Sequence, residues 1–126
     1  MMRRHENRKN GMILVYQYLI FPRSLDLLVE DNPDYEDILK DDYMMEVIKT
    51  ATKEKERYVS YLSQVLDDWK FDRLGYIEQA ILLCGCAEFD LKKVEAPVII
   101  DEYVRLAKEY CDTDSYKLIN GVLDRV

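Results

Sequence analysis

Four cationic side chains, Arg3, Arg4, Arg8 and Lys9, stand within the first ten residues against the single acid Glu6. Arginine offers two parallel donors to a phosphate, and a short basic segment can follow a single strand of RNA. A local basic docking point is one reading of this cluster; a solvated tail is the other. The rest of the chain is acidic. Nine acids against the single base Lys40 lie between Asp26 and Glu46, a net charge of −8 in a protein whose total is −7. Such asymmetry argues against nucleic acid wrapping the whole surface and confines any contact to one place.

Other chemistry is thinly represented. Catalysis needs a nucleophile or an acid–base pair held in a cleft. The chain has no Gly-rich phosphate loop, no Gly-x-Ser-x-Gly elbow and no His-Glu-x-x-His. Glu78 and Glu88 lie on or beside an apolar stretch and are candidates for partly buried carboxylates, which more often make structural hydrogen bonds or ion pairs than catalyse. Cys84 and Cys86 would point about 200° apart on a helix, a poor grip on one metal. With one histidine, His5, and an odd count of three cysteines, neither a zinc site nor a disulfide framework is expected. The reading is of no enzyme, no metal and no cofactor, with the thiols as small apolar residues in the reducing cytoplasm.

The elements that must position these groups read as helices. Only three prolines and four glycines occur in 126 residues, enough length for one domain, 1–126, with one core. Residues 1–10 are expected as a basic, partly mobile arm. A first helix should start near Glu6 or Asn7 and run to Phe21, where Pro22 stops it. Met12, Val15, Tyr16 and Leu19 form its buried stripe. Gly11 inside that stripe suggests close packing. Short helices and connections follow from Arg23 to Lys40. Met44, Ile48 and Ala51 share one face, and the register resumes with Tyr58, Leu62, Val65 and Trp69. Lys55 interrupts it, so two helices should meet near residues 55–58.

The apolar segment Arg73 to Phe89 predicts the central buried helix. Its longest run, Ala80 to Ala87, is too short to span a bilayer, and no signal-peptide pattern follows Arg3 and Arg4. Pro97 suits the first turn of a helix to about Tyr110, with Ile100, Tyr103, Val104 and Ala107 inward and an Asp101–Arg105 pair outward. Asp112, Thr113 and Asp114 offer caps for a last helix burying Ile119, Val122 and Leu123. Most of the ten tyrosines fall on these stripes and suit core edges better than a stacking platform. The fold class is all-α, a compact bundle of about seven helices.

Three ordered motifs narrow the reading. Arg73-Leu74-Gly75-Tyr76-Ile77-Glu78-Gln79-Ala80-Ile81-Leu82, followed by Glu88-Phe89, resembles the central helix of NusB proteins. Val98 to Lys108 resembles that family's V-x-I-x-E-x-V-x-L-A-K segment. Thr113-Asp114-Ser115-Tyr116-Lys117-Leu118-Ile119-Asn120-Gly121-Val122-Leu123-Asp124 is similar to its terminal D-S-x-K-F-V-N-G-V-L-D. Together they cover about residues 69–126. Arg4, Arg8 and Tyr16-Gln17 match more loosely an R-x-x-x-R followed by an L-Y-Q-type helix. The acidic stretch 22–42 matches no motif of the family. Leu83 stands where an arginine is common, Tyr116 replaces a histidine, Leu118 replaces a phenylalanine, and Glu6 and Asn7 dilute the arm.

The resemblance implies two small helix bundles packed across each other. It implies a bacterial antitermination factor that pairs with NusE, a small-subunit ribosomal protein. The pair would bind single-stranded boxA RNA of ribosomal RNA operons within the transcription elongation complex. Carried over, Arg3, Arg4, Arg8 and Lys9 would contact phosphates, Tyr16 and Glu78 would lie near the joint RNA and NusE surface, and Asp114 would influence NusE association. The alternative is a protein-only scaffold of the same shape with weak or absent RNA binding. NusB-like domains also precede an RNA methyltransferase domain in some longer proteins, but no methyltransferase sequence occurs here. Whether the free protein is a monomer or a homodimer stays open.

Overall fold

The computed structural model describes residues 4–66 and 70–126. Arg3 and Trp69 lie outside the described residues. Seven α-helices are found among those described: α1 (Arg4–Ile20), α2 (Leu25–Glu30), α3 (Asp42–Lys53), α4 (Lys55–Val65), α5 (Tyr76–Leu91), α6 (Ala96–Tyr110) and α7 (Thr113–Arg125). Two 3-10 segments, Pro33–Lys40 and Phe71–Arg73, join them, and no strand occurs among the described residues.

Every position from Gln79 to Glu88 of α5 is buried, which makes it the shaft of the bundle. The N-terminal helices α1 and α3 pack on it and on each other; α6 and α7 cover it from the C-terminal half, and α4 touches α3, α5 and α7. A helix apolar all round needs such cover on every side. Two glycines permit close approaches. A Cβ at Gly11 would meet Met44 Cε at 3.0 Å across α1 and α3, and one at Gly85 would meet Leu123 Cδ2 at 3.0 Å across α5 and α7.

Local chemistry sets the helix ends. Asp41 caps α3 by accepting from Met44 N at 3.1 Å, and Asp112 caps α7 by accepting from Ser115 N at 2.8 Å. Helices α3 and α4 divide at Glu54, at the edge of the expected break. Lys92, in the left-handed region at φ 56°, ends α5. Arg23 closes the end of α1, donating to Phe21 O at 2.7 Å and to Asp31 at 3.0 Å.

The structure corrects several expectations. Residues 4–10 form no arm, because α1 begins at Arg4 rather than Glu6 or Asn7. On α1, Leu14 joins Met12 and Val15 in the core, while Tyr16 and Leu19 are half-buried. On α6 the fully buried residues are Ile99, Tyr103, Leu106 and Ala107, whereas Ile100 and Val104 are half-buried. A three-to-four spacing admits either neighbouring stripe, and contact with α5 and α7 selects one. Arg105 lies 4.0 Å from Glu109 in place of the expected Asp101 pair. The thiols of Cys84 and Cys86 are buried, and burial pushes Cys86 up to about 12. Among the described residues, no group of three or more His, Cys, Asp and Glu is placed to hold a metal, and no helix is long and apolar enough to cross a membrane.

Candidate nucleic-acid interface

The start of α1 carries the basic cluster, and its first two turns are tied down from three sides. Arg8 is only 3% exposed. Its Nε donates to Glu88 Oε2 at 2.8 Å and its Nη2 to Glu88 Oε1 at 2.9 Å, a two-pronged pair between α1 and α5. Glu88 is 0% exposed and accepts two further bonds, from Tyr43 OH at 2.7 Å and from Tyr103 OH. Four donors on one buried carboxylate offset the cost of taking its charge out of water. Burial works against the charge on Arg8, but the bonds and charge of Glu88 outweigh it and hold its pKa above the usual arginine value. Burial first raises the phenols of Tyr43 and Tyr103 above the usual tyrosine value, with the hydrogen bond to Glu88 next for Tyr43 and the neighbouring Cys84 and Glu88 next for Tyr103.

Next to it, Asn7 Nδ2 donates to Asp41 Oδ2 at 3.0 Å, and one turn earlier Arg4 Nε sits 3.0 Å from the same oxygen. That Arg4 contact is an ion pair whose N–H is not aligned for a hydrogen bond. The Arg4 guanidinium carbon lies 4.9 Å from the centre of the Tyr43 ring. His5 faces α6, with Nδ1 2.6 Å from Glu102 and Nε2 3.3 Å from Glu109. The first two turns therefore reach α3, α5 and α6 at once.

This arrangement divides the expected phosphate contacts. Arg8, 3% exposed and with its Nε and one Nη2 N–H on Glu88, presents little to the surface. Arg4, with 40% of its side chain exposed, and half-buried Lys9 remain at the surface. Tyr16 is half-buried and packed against the core, two turns further along α1.

Glu78 and Asp114 occupy the other half of the molecule. Glu78 Oε2 accepts from Gly75 N at 3.3 Å, so it helps to cap α5. The half-buried Cys111 thiol at the end of α6 is raised to about 11 by burial first and then by the charges of Glu78 and Asp112. Asp114 is exposed in the first turn of α7, where Asp112 does the capping. Thus Glu78 stands in the first turn of α5 and Asp114 in the first turn of α7, while the basic residues gather at the start of α1.

Sequence reasoning missed Asp41, Tyr43 and Tyr103 as members of the basic end. Tyr103 was legible as a core residue, but nothing local marked its hydroxyl as a partner of Glu88. Asp41 lay inside the acidic stretch that matched no motif, and Tyr43 just beyond its end. The available signal was an Asp three residues before the first apolar residue of α3, a capping pattern.

The NusB family model matches residues 5–126. The NusB protein of an Exiguobacterium species is 32% identical over 128 residues, covering 99% of this chain and 97% of that protein. The NusB protein of Crocosphaera subtropica is 42% identical over 84 residues, 67% of this chain but only 40% of its own length. Among solved structures, Aquifex aeolicus NusB superposes with a TM-score of 0.80 at 30% identity, covering 98% of this chain and 86% of that one. A NusB chain crystallised with NusE and double-stranded RNA superposes with a TM-score of 0.77 at 26% identity, covering 98% and 96%. With the motifs of α5, α6 and α7 in place on a matching all-helical fold, the chain belongs to the NusB family.

Proposed function

We propose that this chain is a cytoplasmic, non-catalytic antitermination factor that pairs with NusE and binds boxA RNA of ribosomal RNA operons in the transcription elongation complex. The observation that carries the reading is the family match through residues 5–126, beside a NusB relative held with NusE and RNA in one crystal. Partial exposure supports Arg4 and Lys9 as the RNA-facing candidates, with Arg3 outside the described residues. Glu78 and Asp114, in the first turns of α5 and α7, are the NusE-facing candidates, and Tyr16 is a half-buried residue packed against the core whose exposed edge would meet a partner.

The burial of Arg8 favours a second reading, a protein-only scaffold that takes NusE and barely touches RNA. Binding of boxA-containing RNA across a salt series, with and without NusE, separates the two. The informative variant is Arg4→Gln/Lys9→Gln, since altering Arg8 would disturb the core. Losing two single-strand phosphate contacts flattens the slope of log affinity on log salt by about 1.4. That flattening, with NusE tightening the unaltered protein, supports the antitermination reading. NusE binding with negligible RNA affinity, indifferent to the variant, supports the scaffold.

A further inference from the structure

We infer that Tyr43, the second residue of α3, is a positioning residue that sets Arg4 for its phosphate contact; the inference rests on the RNA reading above. The Tyr43 ring is the platform for the Arg4 guanidinium, whose carbon lies 4.9 Å from the ring centre. The ring is itself fixed from beneath, because Tyr43 OH donates to the fully buried Glu88 at 2.7 Å. Beside it, Arg4 Nε is buried 3.0 Å from Asp41 Oδ2 while 40% of the Arg4 side chain stays exposed. The inner edge of the guanidinium is therefore taken up by α3, and the exposure falls on the remainder of the side chain.

Asp41 opposes an RNA phosphate electrostatically, but its charge is already shared. The carboxylate is 1% exposed and accepts from Asn7 Nδ2 at 3.0 Å and Met44 N at 3.1 Å. Its contact with Arg4 lacks hydrogen-bond alignment, so it orients the fork without using its donors. A long arginine side chain loses rotamer freedom when it grips a phosphate. A face-on aromatic ring removes part of that freedom beforehand and leaves the donor edge for the ligand. The end of the acidic stretch thus serves the basic cluster, through the chain Glu88, Tyr43, Arg4.

The test is a double-mutant cycle read as salt dependence. A labelled single-stranded boxA-containing RNA is titrated, with NusE present, against the unaltered protein, Arg4→Gln, Tyr43→Leu, the double variant and Tyr43→Phe. Thermal unfolding of each confirms that it folds. Arg4→Gln should flatten the salt slope by about 0.7, one single-strand phosphate. Tyr43→Leu should reproduce most of that flattening when Arg4 is present and add nothing in the Arg4→Gln background. Tyr43→Phe keeps the ring and should keep the slope, although losing its bond to Glu88 lowers the unfolding temperature.

Equal losses from Tyr43→Leu with and without Arg4, or a Tyr43→Phe variant as impaired as Tyr43→Leu, would overturn the inference. So would an unchanged slope in Arg4→Gln, even where Lys9→Gln shows that RNA binding itself stands. An unaltered protein that ignores the RNA with NusE bound removes the RNA reading, and the inference with it.

Discussion

Arg8 and Glu88 meet 80 positions apart in the chain as a two-pronged pair, at 2.8 and 2.9 Å, in a site where both are at most 3% exposed. The pair joins the first helix to the central one, and two tyrosine hydroxyls from α3 and α6 complete it. A residue first read as a ligand for RNA is thus a structural bolt, and the same bolt holds the neighbouring basic residues in place.

Removing one partner of such a pair leaves a buried charge with nothing to answer it. Arg8→Ala should cost about 3–5 kcal/mol of stability, far more than a surface arginine, whose loss costs ~0–1 kcal/mol. Replacing both partners together, as Arg8→Met/Glu88→Leu, should cost less than the single change, because no charge is then stranded. Urea unfolding of the three variants checks this. A single Arg8→Ala variant as stable as the unaltered protein would refute the buried pair.

The two acids at the start of α7 should separate cleanly. Asp112 accepts from Ser115 N at 2.8 Å, and this backbone bond holds its carboxyl below the usual range. Asp112→Ala should lower the unfolding temperature through loss of the cap. Asp114→Ala, altering an exposed side chain beside an intact cap, should leave that temperature unchanged. Any effect of Asp114→Ala then shows in NusE affinity, measured by calorimetric titration. Equal thermal losses in both variants would mean that Asp114 is structural as well.

Alkali should unfold the protein through its buried acids. Burial raises Cys86 from an ordinary 9.0 to about 12 and Cys111 to about 11; Tyr58 and Tyr103 also lie above the usual tyrosine value, from burial first. In each case the folded pKa exceeds the unfolded one. The stability these groups contribute is therefore complete below about pH 9 and declines as the pH rises through the folded values. Unfolding free energies between pH 8 and 11 should fall with rising pH, and Cys86→Ala should lessen the slope. A flat profile there would contradict the burial of these groups.

Much of the helical plan was legible in order and spacing. The Lys55 interruption foretold the division of α3 from α4, which falls at Glu54. Pro97 and the acids near 112–114 marked two helix starts, and the run from Ala80 to Ala87 marked the shaft. These signals are local: a proline, a capping oxygen or an apolar period acts within one or two turns. The family motifs of α5 to α7 were equally readable, because each lies within one helix or, for α5, the helix and the three residues before it.

The basic end was not legible in the same way. Arg4, Arg8 and Lys9 look alike in the sequence, with Arg8 and Lys9 four and five residues after Arg4, yet Arg8 is buried while the other two stay partly exposed. What separates the two arginines is that Arg4 meets Asp41 and Tyr43 while Arg8 meets Glu88 on α5, partners that stand 37 residues or more away along the chain. Charge composition identified a place for phosphate. Only the packing of α1 onto Glu88, Asp41 and Tyr43 decided which cations are left to fill it, since a buried carboxylate must take its counter-charge from whatever the fold brings within reach.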